Sequence, residues 1–394
     1  MTRPSTEGTD RPGFPLGRFL LDNGCLTRDW AGSFEAVPRS LFLPDLMWAH
    51  DMATGRSTAL NRYEEPAAWR RAALANVPIV TQWDDGEHTG TAPGSVPTSS
   101  ASMPSVVASM LRDLDVKPGM RVLEVGTGTG WNAGLLAHRL GGDHVVSVEV
   151  DAAVAARARA ALDRAGLHPE VVVADGREGW PPGAPYDRLI ATCGIREVPA
   201  PWLEQVRPGG LILAPWGTHY ANQDAVLRLT VAADGTASGR FTELVEFMKL
   251  RAHRLQWPRH AEYAPEFPGG ADISLATTLE LDDLGGTFDA ATFVTGLAVS
   301  DCAHLVHRQN EETTTAWFYG LTDRSWAAVV FRGKEPAIVY QSGARRLASA
   351  VERAMRWWNG RGRPGLPRFG VTVTPTGQQI PWLDEPGSPV PRQV

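Results

Sequence analysis

The sequence predicts an α/β protein built on a mostly parallel sheet over residues 17–257, with a C-terminal α+β domain over 272–383. Three observations predict it. Between residues 121 and 216, short apolar strands alternate with helices, the pattern of a parallel sheet covered on both faces. A glycine-rich turn at 126–130 joins the first of these strands to a helix, as in Rossmann-like units. Beyond a Pro/Gly-dense stretch at 258–271, strand-like segments follow one another with a single helix set apart, as in an antiparallel sheet with segregated helix. Length agrees: 394 residues, at roughly 150 per domain, exceed one comfortable core.

The elements follow in order. Residues 1–16 read as a disordered tail, polar, broken by Pro and Gly, and without the apolar core of a signal peptide. From Gly17 to Leu46 the pattern is helical, with two short helices before Val37-Pro38-Arg39. DDGEHTGTAPGSVPTSS (84–100) reads as a flexible loop. Met103–Leu114 has helical spacing. Strands are expected at 121–125, 144–150, 170–175, 186–192 and 211–216, and helices at 131–140, 152–166 and 199–206; Gly166 suits the end of the Ala/Arg-rich second one. Past a linker at 258–271, TTLEL, TFVTGLAV, AHLVHR, AWFYGL, SWAAVVF and PAIVYQ read as strands. ARRLASAVERAMRWW (344–358) reads as a helix, FGVTVTP (369–375) as a strand and 384–394 as a tail.

Composition narrows the function classes. Thirty-eight Lys and Arg against 44 Asp and Glu give a net charge of −6, so a generally basic, nucleic-acid-coating protein is excluded. No uncharged apolar run reaches the length of about 18 residues that a membrane helix needs, and no membrane partner is expected. Cys25, Cys193 and Cys302 lie far apart without a CxxC, which argues against a disulfide framework or a cysteine zinc site. A reducing, cytoplasmic compartment is the expectation. His304 and His307 lack an evident third ligand, so no metal is expected.

The chemistry sits at the end of the first parallel strand, in VLEVGTGTGW (122–131). Glycines at 126, 128 and 130 permit a tight turn and let a ligand approach the backbone. Alone, such a turn also fits a nicotinamide oxidoreductase. Glu149 ends the next strand about 20 residues on, placed to accept bonds from ribose hydroxyls. Asp175-Gly176 ends the third strand, where a carboxylate or carbonyl can reach an adenine amino group. Glu124, two residues before the first glycine, completes an ExGxGxG pattern. That pattern resembles the first motif of class I S-adenosylmethionine methyltransferases, in which the acid helps hold the methionine end of the cofactor.

The resemblance narrows further. FEAVPRSLFLP (34–44), ASMPSVVASML (101–111), ADGREGW (174–180) and APYDRLIATCGIREVPAPWLEQVRPGGLILAPWG (184–217) closely resemble the protein-L-isoaspartate O-methyltransferase family over roughly residues 17–225. The resemblance implies S-adenosylmethionine as cofactor, leaving S-adenosylhomocysteine. It implies cofactor contacts at Glu124, Gly126, Thr127, Gly128, Gly130, Glu149, Val150, Asp175, Gly176 and Gln223. It also implies a catalytic serine at Ser102, with Val37, Pro38, Arg39, Ser102 and Ser105 toward the substrate. Read from the residues alone, Ser102 and Ser105 flank Pro104 at a helix start, where a serine also serves as N-cap.

Two departures from the repair enzymes stand out: the residues beyond the linker, and the expanded stretch before Ser102. VTQWDDG, PTSSASMPSVVASML, PWGT and GTASGRF resemble the methyltransferases that accompany ATP-grasp (graspetide) maturation of ribosomal peptides, with relatives in lanthipeptide and lasso-peptide pathways. That resemblance implies, as substrate and partner, a precursor peptide with a reactive aspartate, already cross-linked, whose methyl ester closes to an aspartimide. General isoaspartate repair is the alternative. A non-catalytic, cofactor-binding recognition module is the rival from another class. The aromatics Trp317, Phe318, Tyr319, Trp326, Trp357 and Trp358 would either grip the peptide or fill the core of the C-terminal domain.

Overall fold

The computed structural model describes residues 15–257 and 259–393. The expected tail at 1–16 therefore falls outside the described residues except for Pro15 and Leu16, which begin a helix; Pro258 of the linker and Val394 also lie outside. Two compact units emerge, Met1–Thr192 with Pro201–Leu213, and Cys193–Ala200 with Ala214–Val394. The chain crosses between the units at residues 192–193, 200–201 and 213–214, none of them in the 258–271 linker.

In the first unit, α1 (Pro15–Asp22) and α2 (Arg28–Ala36) precede a small antiparallel sheet. Its strands are β1 (Leu46–Asp51), β2 (Arg56–Asn61) and, after α3 (Pro66–Ala73), β3 (Ile79–Trp83) and β4 (Pro97–Ala101), in the order β2-β1-β3-β4. The sequence pattern does not disclose this sheet. β1 and β2 lack a clean alternation of buried and exposed residues. β4, PTSSA, has the composition of a turn, but Pro97 is its first residue, a position where the missing N–H does no harm to a ladder.

The expected flexible loop at 84–100 is instead tied down. The Asp84 carboxylate accepts from the Ser95 and Val96 amides at 3.0 and 2.7 Å. Trp48 donates its indole N–H to the Thr91 carbonyl at 2.8 Å and meets the His88 ring edge-on. The rest of the segment is β4 itself.

After α4 (Pro104–Leu114) come β5 (Val122–Val125), α5 (Trp131–Leu140), β6 (Val145–Glu149), α6 (Ala152–Arg164), β7 (Glu170–Val173), β8 (Tyr186–Ala191), α7 (Ala200–Gln205) and β9 (Val206–Trp216). These match the alternation in the sequence. β5 is buried along its whole length, as a central parallel strand must be. Asp151 caps α6, its carboxylate accepting from Ala153 and Val154. β8, β5, β6 and β7 lie side by side in that order, all parallel. The chain steps from β5 to β6 to β7, then returns on the other side of β5 as β8. The carboxyl ends of β5 and β8 therefore flank a topological switch point, where open α/β sheets bind ligands.

The second unit carries β10 (Asp224–Val231), β11 (Ala237–Val245), α8 (His260–Tyr263), β12 (Ile273–Ala276), α9 (Ala290–Ala298), β13 (Cys302–Arg308), β14 (Thr313–Gly320), β15 (Trp326–Arg332), β16 (Glu335–Ser342), α10 (Leu347–Asn359), β17 (Phe369–Val373) and β18 (Gln379–Leu383). β10, β11, β17 and β18 form one antiparallel ladder. β12-β16-β15-β14-β13 form another. TFVTGLAV is helix α9, not a strand: Asp289 caps it, and the whole run from Ala291 to Ala298 is buried, so its apolar composition reports burial rather than period. TTLEL likewise forms no strand; Ile273–Ala276 just before it does.

The linker is part of this unit's core. Ala264 is buried with Trp317, Tyr319 and Trp326, and Phe267 packs against them. Of the aromatics considered for peptide contact, Trp317, Phe318, Tyr319, Trp326 and Trp358 are all buried core residues. The expected tail at 384–394 is also anchored, with Val390 buried and the Gln393 amide donating to Ala298 at 2.8 Å. Asp384 pairs with Arg368 at 2.7 Å and holds the turn that leads there. Among the described residues no helix is long and apolar enough to cross a membrane, and no group of three His, Cys, Asp or Glu could hold a metal. His304 stacks against both Tyr220 and Phe318, which also meet each other, and burial depresses its pKa to about 4.

Candidate cofactor and acceptor site

The glycine turn at the end of β5 has the conformation its sequence implies. Gly126, Gly128 and Gly130 have φ of 100°, 53° and 88°, a region closed to most side chains. At Gly128 a Cβ would also sit 3.4 Å from the Ser100 carbonyl oxygen, so β4 lies directly against the turn. The Gly126 amide donates to the Val148 carbonyl at 2.8 Å, tying the turn to β6.

Glu124 does not face into this cradle. It is fully buried, and its two carboxylate oxygens accept from Asn132 at 2.7 Å and Ser147 at 2.5 Å. Ser147 shares a 2.6 Å hydrogen bond with the buried hydroxyl of Thr127. Burial pushes the Glu124 carboxyl up to about 7, against the two hydrogen bonds that favour its ionised form. Glu124 and Thr127 are thus tied to Asn132 and Ser147 beside the turn. Neither Asn132 nor Ser147 carries a sequence signal beyond proximity to the motif.

The remaining strand ends supply groups suited to an adenosine. The Glu149 carboxylate at the end of β6 accepts from the Gly128 amide at 2.9 Å and the Asp151 amide at 3.1 Å, which fixes it beside the turn with lone pairs to spare. Val150 follows, 44% exposed, an apolar surface at the same edge. Asp175 caps the short turn after β7 and pairs with Arg177 at 2.8 Å, while the buried Gly176 accepts from the Trp202 indole at 2.8 Å. Thr192, at the end of β8, donates its hydroxyl to the Gly126 carbonyl, a contact that sequence reasoning missed. Gln223 lies in the second unit, where its amide donates to the Asp289 carbonyl at 3.0 Å and its oxygen is buried without a partner.

On the acceptor side, Ser102 follows β4. Helix α4 begins at Pro104 with Met103 as its cap residue and no side-chain cap bond, so Ser102 is not the N-cap. Its hydroxyl is half-buried and takes part in no hydrogen bond among the described residues. The Ser105 amide donates to the Asn76 side chain at 2.9 Å. Val37 is buried, and its carbonyl accepts from the Trp131 indole at 2.9 Å; Pro38 is exposed beside it. Arg39 is buried as well, and burial lowers its pKa to about 9. Val37 and Arg39 are therefore both enclosed by protein.

The parallel strand ends, the cradle at Gly128 and the carboxylate of Glu149 together fit S-adenosylmethionine. Residues 87–254 match the family model described as protein-L-isoaspartate(D-aspartate) O-methyltransferase. A protein-L-isoaspartate O-methyltransferase of Pyrococcus horikoshii is 44% identical over 136 residues, covering 34% of this chain and 61% of the relative, so the match spans about three-fifths of that protein. One of Thermococcus onnurineus is 33% identical over 189 residues, covering 46% of this chain and 82% of the relative. A solved structure named protein-L-isoaspartate O-methyltransferase matches with a TM-score of 0.52 at 20% identity, over 94% of this chain and 99% of that one. The fold is that of the class I S-adenosylmethionine-dependent methyltransferases. With most of the Thermococcus relative matched at that identity, the chain belongs to the protein-L-isoaspartate(D-aspartate) O-methyltransferase family.

Proposed function

We propose that this chain is an S-adenosylmethionine-dependent carboxyl O-methyltransferase that acts on an aspartate-derived side chain in a peptide. One observation carries the reading: the unpaired Ser102 hydroxyl follows a strand whose Ser100 carbonyl lies against the Gly128 cradle. When bound, S-adenosylmethionine supplies a sulfonium methyl whose bond to sulfur breaks as its bond to the carboxylate oxygen forms, leaving S-adenosylhomocysteine and a methyl ester with no proton released. An accepting carboxylate has an ordinary pKa near 4 and is already an anion, so the chain needs no general base. Its work is alignment. Ser102 donates to one carboxylate oxygen and leaves the other for the methyl group. Glu149 takes ribose hydroxyls, and Val150 offers an apolar face to the adenine.

Two substrates suit that chemistry. The narrower reading is an ordinary aspartate in a cross-linked precursor peptide of the graspetide type, with lanthipeptide and lasso-peptide precursors as variants. It is supported by the resemblance of VTQWDDG and PTSSASMPSVVASML and by the tied-down segment between Asp84 and Val96. There the ester is attacked by the next amide nitrogen, and methanol leaves as the aspartimide ring closes. The broader reading is isoaspartate repair. It is favoured by the likeness, over 94% of this chain, to a solved structure bearing the repair enzyme's name, so the residues beyond the cofactor fold do not by themselves require a special substrate. Incubation with a small isoaspartyl peptide and with a cross-linked precursor separates the two. Brisk turnover of the small peptide and none of the precursor sinks the narrower reading. Unchanged product from both Ser102→Ala and Glu149→Ala would point to a non-catalytic recognition module.

A further inference from the structure

We infer that Arg39 is a positioning residue for methyl transfer, locking Ser102 on the acceptor side to Trp131 on the donor side. The inference rests on the carboxyl-methyltransferase reading above. Arg39 opens a single 3-10 turn, Arg39–Phe42, and its side chain runs inward. One terminal nitrogen donates to the carbonyls of Ala101 at 2.8 Å, Ser102 at 3.0 Å and Val77 at 3.0 Å. The other reaches the Ala75 carbonyl at 3.4 Å. Its guanidinium carbon lies 5.7 Å from the centre of the Trp131 ring. Trp131 is the first residue of α5, directly after Gly130, and its indole donates to Val37, two residues before Arg39.

Among the described residues the guanidinium meets carbonyl dipoles and a ring face instead of a carboxylate. A buried cation held that way is costly, and an apolar side chain of similar size would fill the space without the cost. What the planar fork adds is simultaneous purchase on several carbonyls, which a lysine cannot reproduce. Two of those carbonyls belong to Ala101 and Ser102, where the chain leaves β4 before α4 begins; the cap residue Met103 makes no side-chain bond there, and the other side chain at the junction is Asn76, which accepts from the Ser105 amide. One side chain thus sets the separation between the serine that orients the acceptor and the helix that carries the donor turn. In-line transfer is sensitive to that separation; a misplacement of about 1 Å lowers the rate by about a hundredfold.

The test uses the full chain with Arg39→Ala and Arg39→Lys. kcat and KM are measured for the methyl acceptor, S-adenosylhomocysteine affinity by calorimetry, and the folded fraction by circular dichroism. We expect kcat of the alanine variant to fall by about a hundredfold, with the acceptor KM and S-adenosylhomocysteine affinity little changed. Lysine restores only part of the rate. Guanidinium ion at concentrations too low to denature restores the alanine variant by about tenfold, by refilling the site. A loss confined to KM, an unchanged kcat, or a folded alanine variant that guanidinium does not rescue overturns the inference. If the wild type itself methylates no carboxylate, the functional reading fails, and amide exchange decides the positioning role. Faster exchange over residues 99–103 in the alanine variant supports it, and unchanged exchange overturns it.

Discussion

Replacing Glu124 with Gln isolates the consequence of burying an acid behind the cofactor turn. The carboxyl is fully enclosed, and burial raises its pKa from 4.5 to about 7. Below 4.5 it is protonated in both folded and unfolded chains. Between 4.5 and 7 the unfolded chain releases its proton while the folded one keeps it, so stability falls as pH rises, and the loss is complete above 7. At about 1.4 kcal/mol per pKa unit the shift amounts to roughly 3 kcal/mol. Glutamine carries no charge, and the hydroxyl pair of Ser147 and Thr127 can reverse its donor order to accept the new amide. Urea unfolding of wild type and Glu124→Gln at pH 5, 6, 7 and 8 reads the difference directly. The variant should gain about 2.5 kcal/mol on the wild type between pH 5 and pH 8, since part of the loss is already complete at pH 5. Its S-adenosylhomocysteine affinity should stay within about threefold, because both carboxylate oxygens are already enclosed on Asn132 and Ser147. Parallel stability curves, or an affinity loss of about tenfold or more, would refute the reasoning and return Glu124 to direct cofactor contact.

Two further substitutions probe separate parts of the structure. Gly128→Ala forces a side chain into a φ of 53° and toward the Ser100 carbonyl, so stability falls by about 1–2 kcal/mol and calorimetry shows weaker S-adenosylhomocysteine binding. Asp224 is buried in the second unit between Arg196 at 3.3 Å and Lys249 at 2.6 Å. Asp224→Ala leaves both cations without their carboxylate and should cost about 3–5 kcal/mol in urea unfolding, whereas a loss below about 1 kcal/mol would mean that solvent already supports them.

Much of the catalytic half was legible because its sequence obeys one local rule at a time. β5, β6 and β8 are mostly apolar and largely buried, as central parallel strands are, and glycines 126, 128 and 130 adopt the conformations for which glycine is suited. The small sheet was illegible for the opposite reason. β4 is a row of Thr and Ser at a sheet edge, and only its pairing with β3 distinguishes it from a loop. Segment 84–96 is fixed by Asp84 and Trp48, contacts that composition does not encode. In α9 tertiary burial removes the polar face from which a helix is recognised.

The motifs also located the site better than they assigned roles within it. Glu149 is fixed beside the glycine turn by the Gly128 and Asp151 amides, and Ser102 is half-buried just after β4. Glu124, Thr127, Val37 and Arg39 are enclosed, and act through Asn132, Ser147, Trp131 and the carbonyl of Ser102. A motif marks residues a site requires, whether they touch the ligand or hold what does. Gln223 uses its amide nitrogen on the Asp289 carbonyl within the second unit and leaves its oxygen without a partner.

The most direct measurement of the central claim follows a labelled methyl group from S-adenosylmethionine to a peptide, with the product read by mass spectrometry and base lability. Wild type should yield a peptide carrying one additional methyl group as a base-labile ester on an aspartate-derived carboxylate. Ser102→Ala should bind S-adenosylhomocysteine as wild type does and transfer at least about tenfold more slowly. Intact S-adenosylhomocysteine binding, with no ester formed on either an isoaspartyl peptide or a cross-linked precursor, would contradict the account.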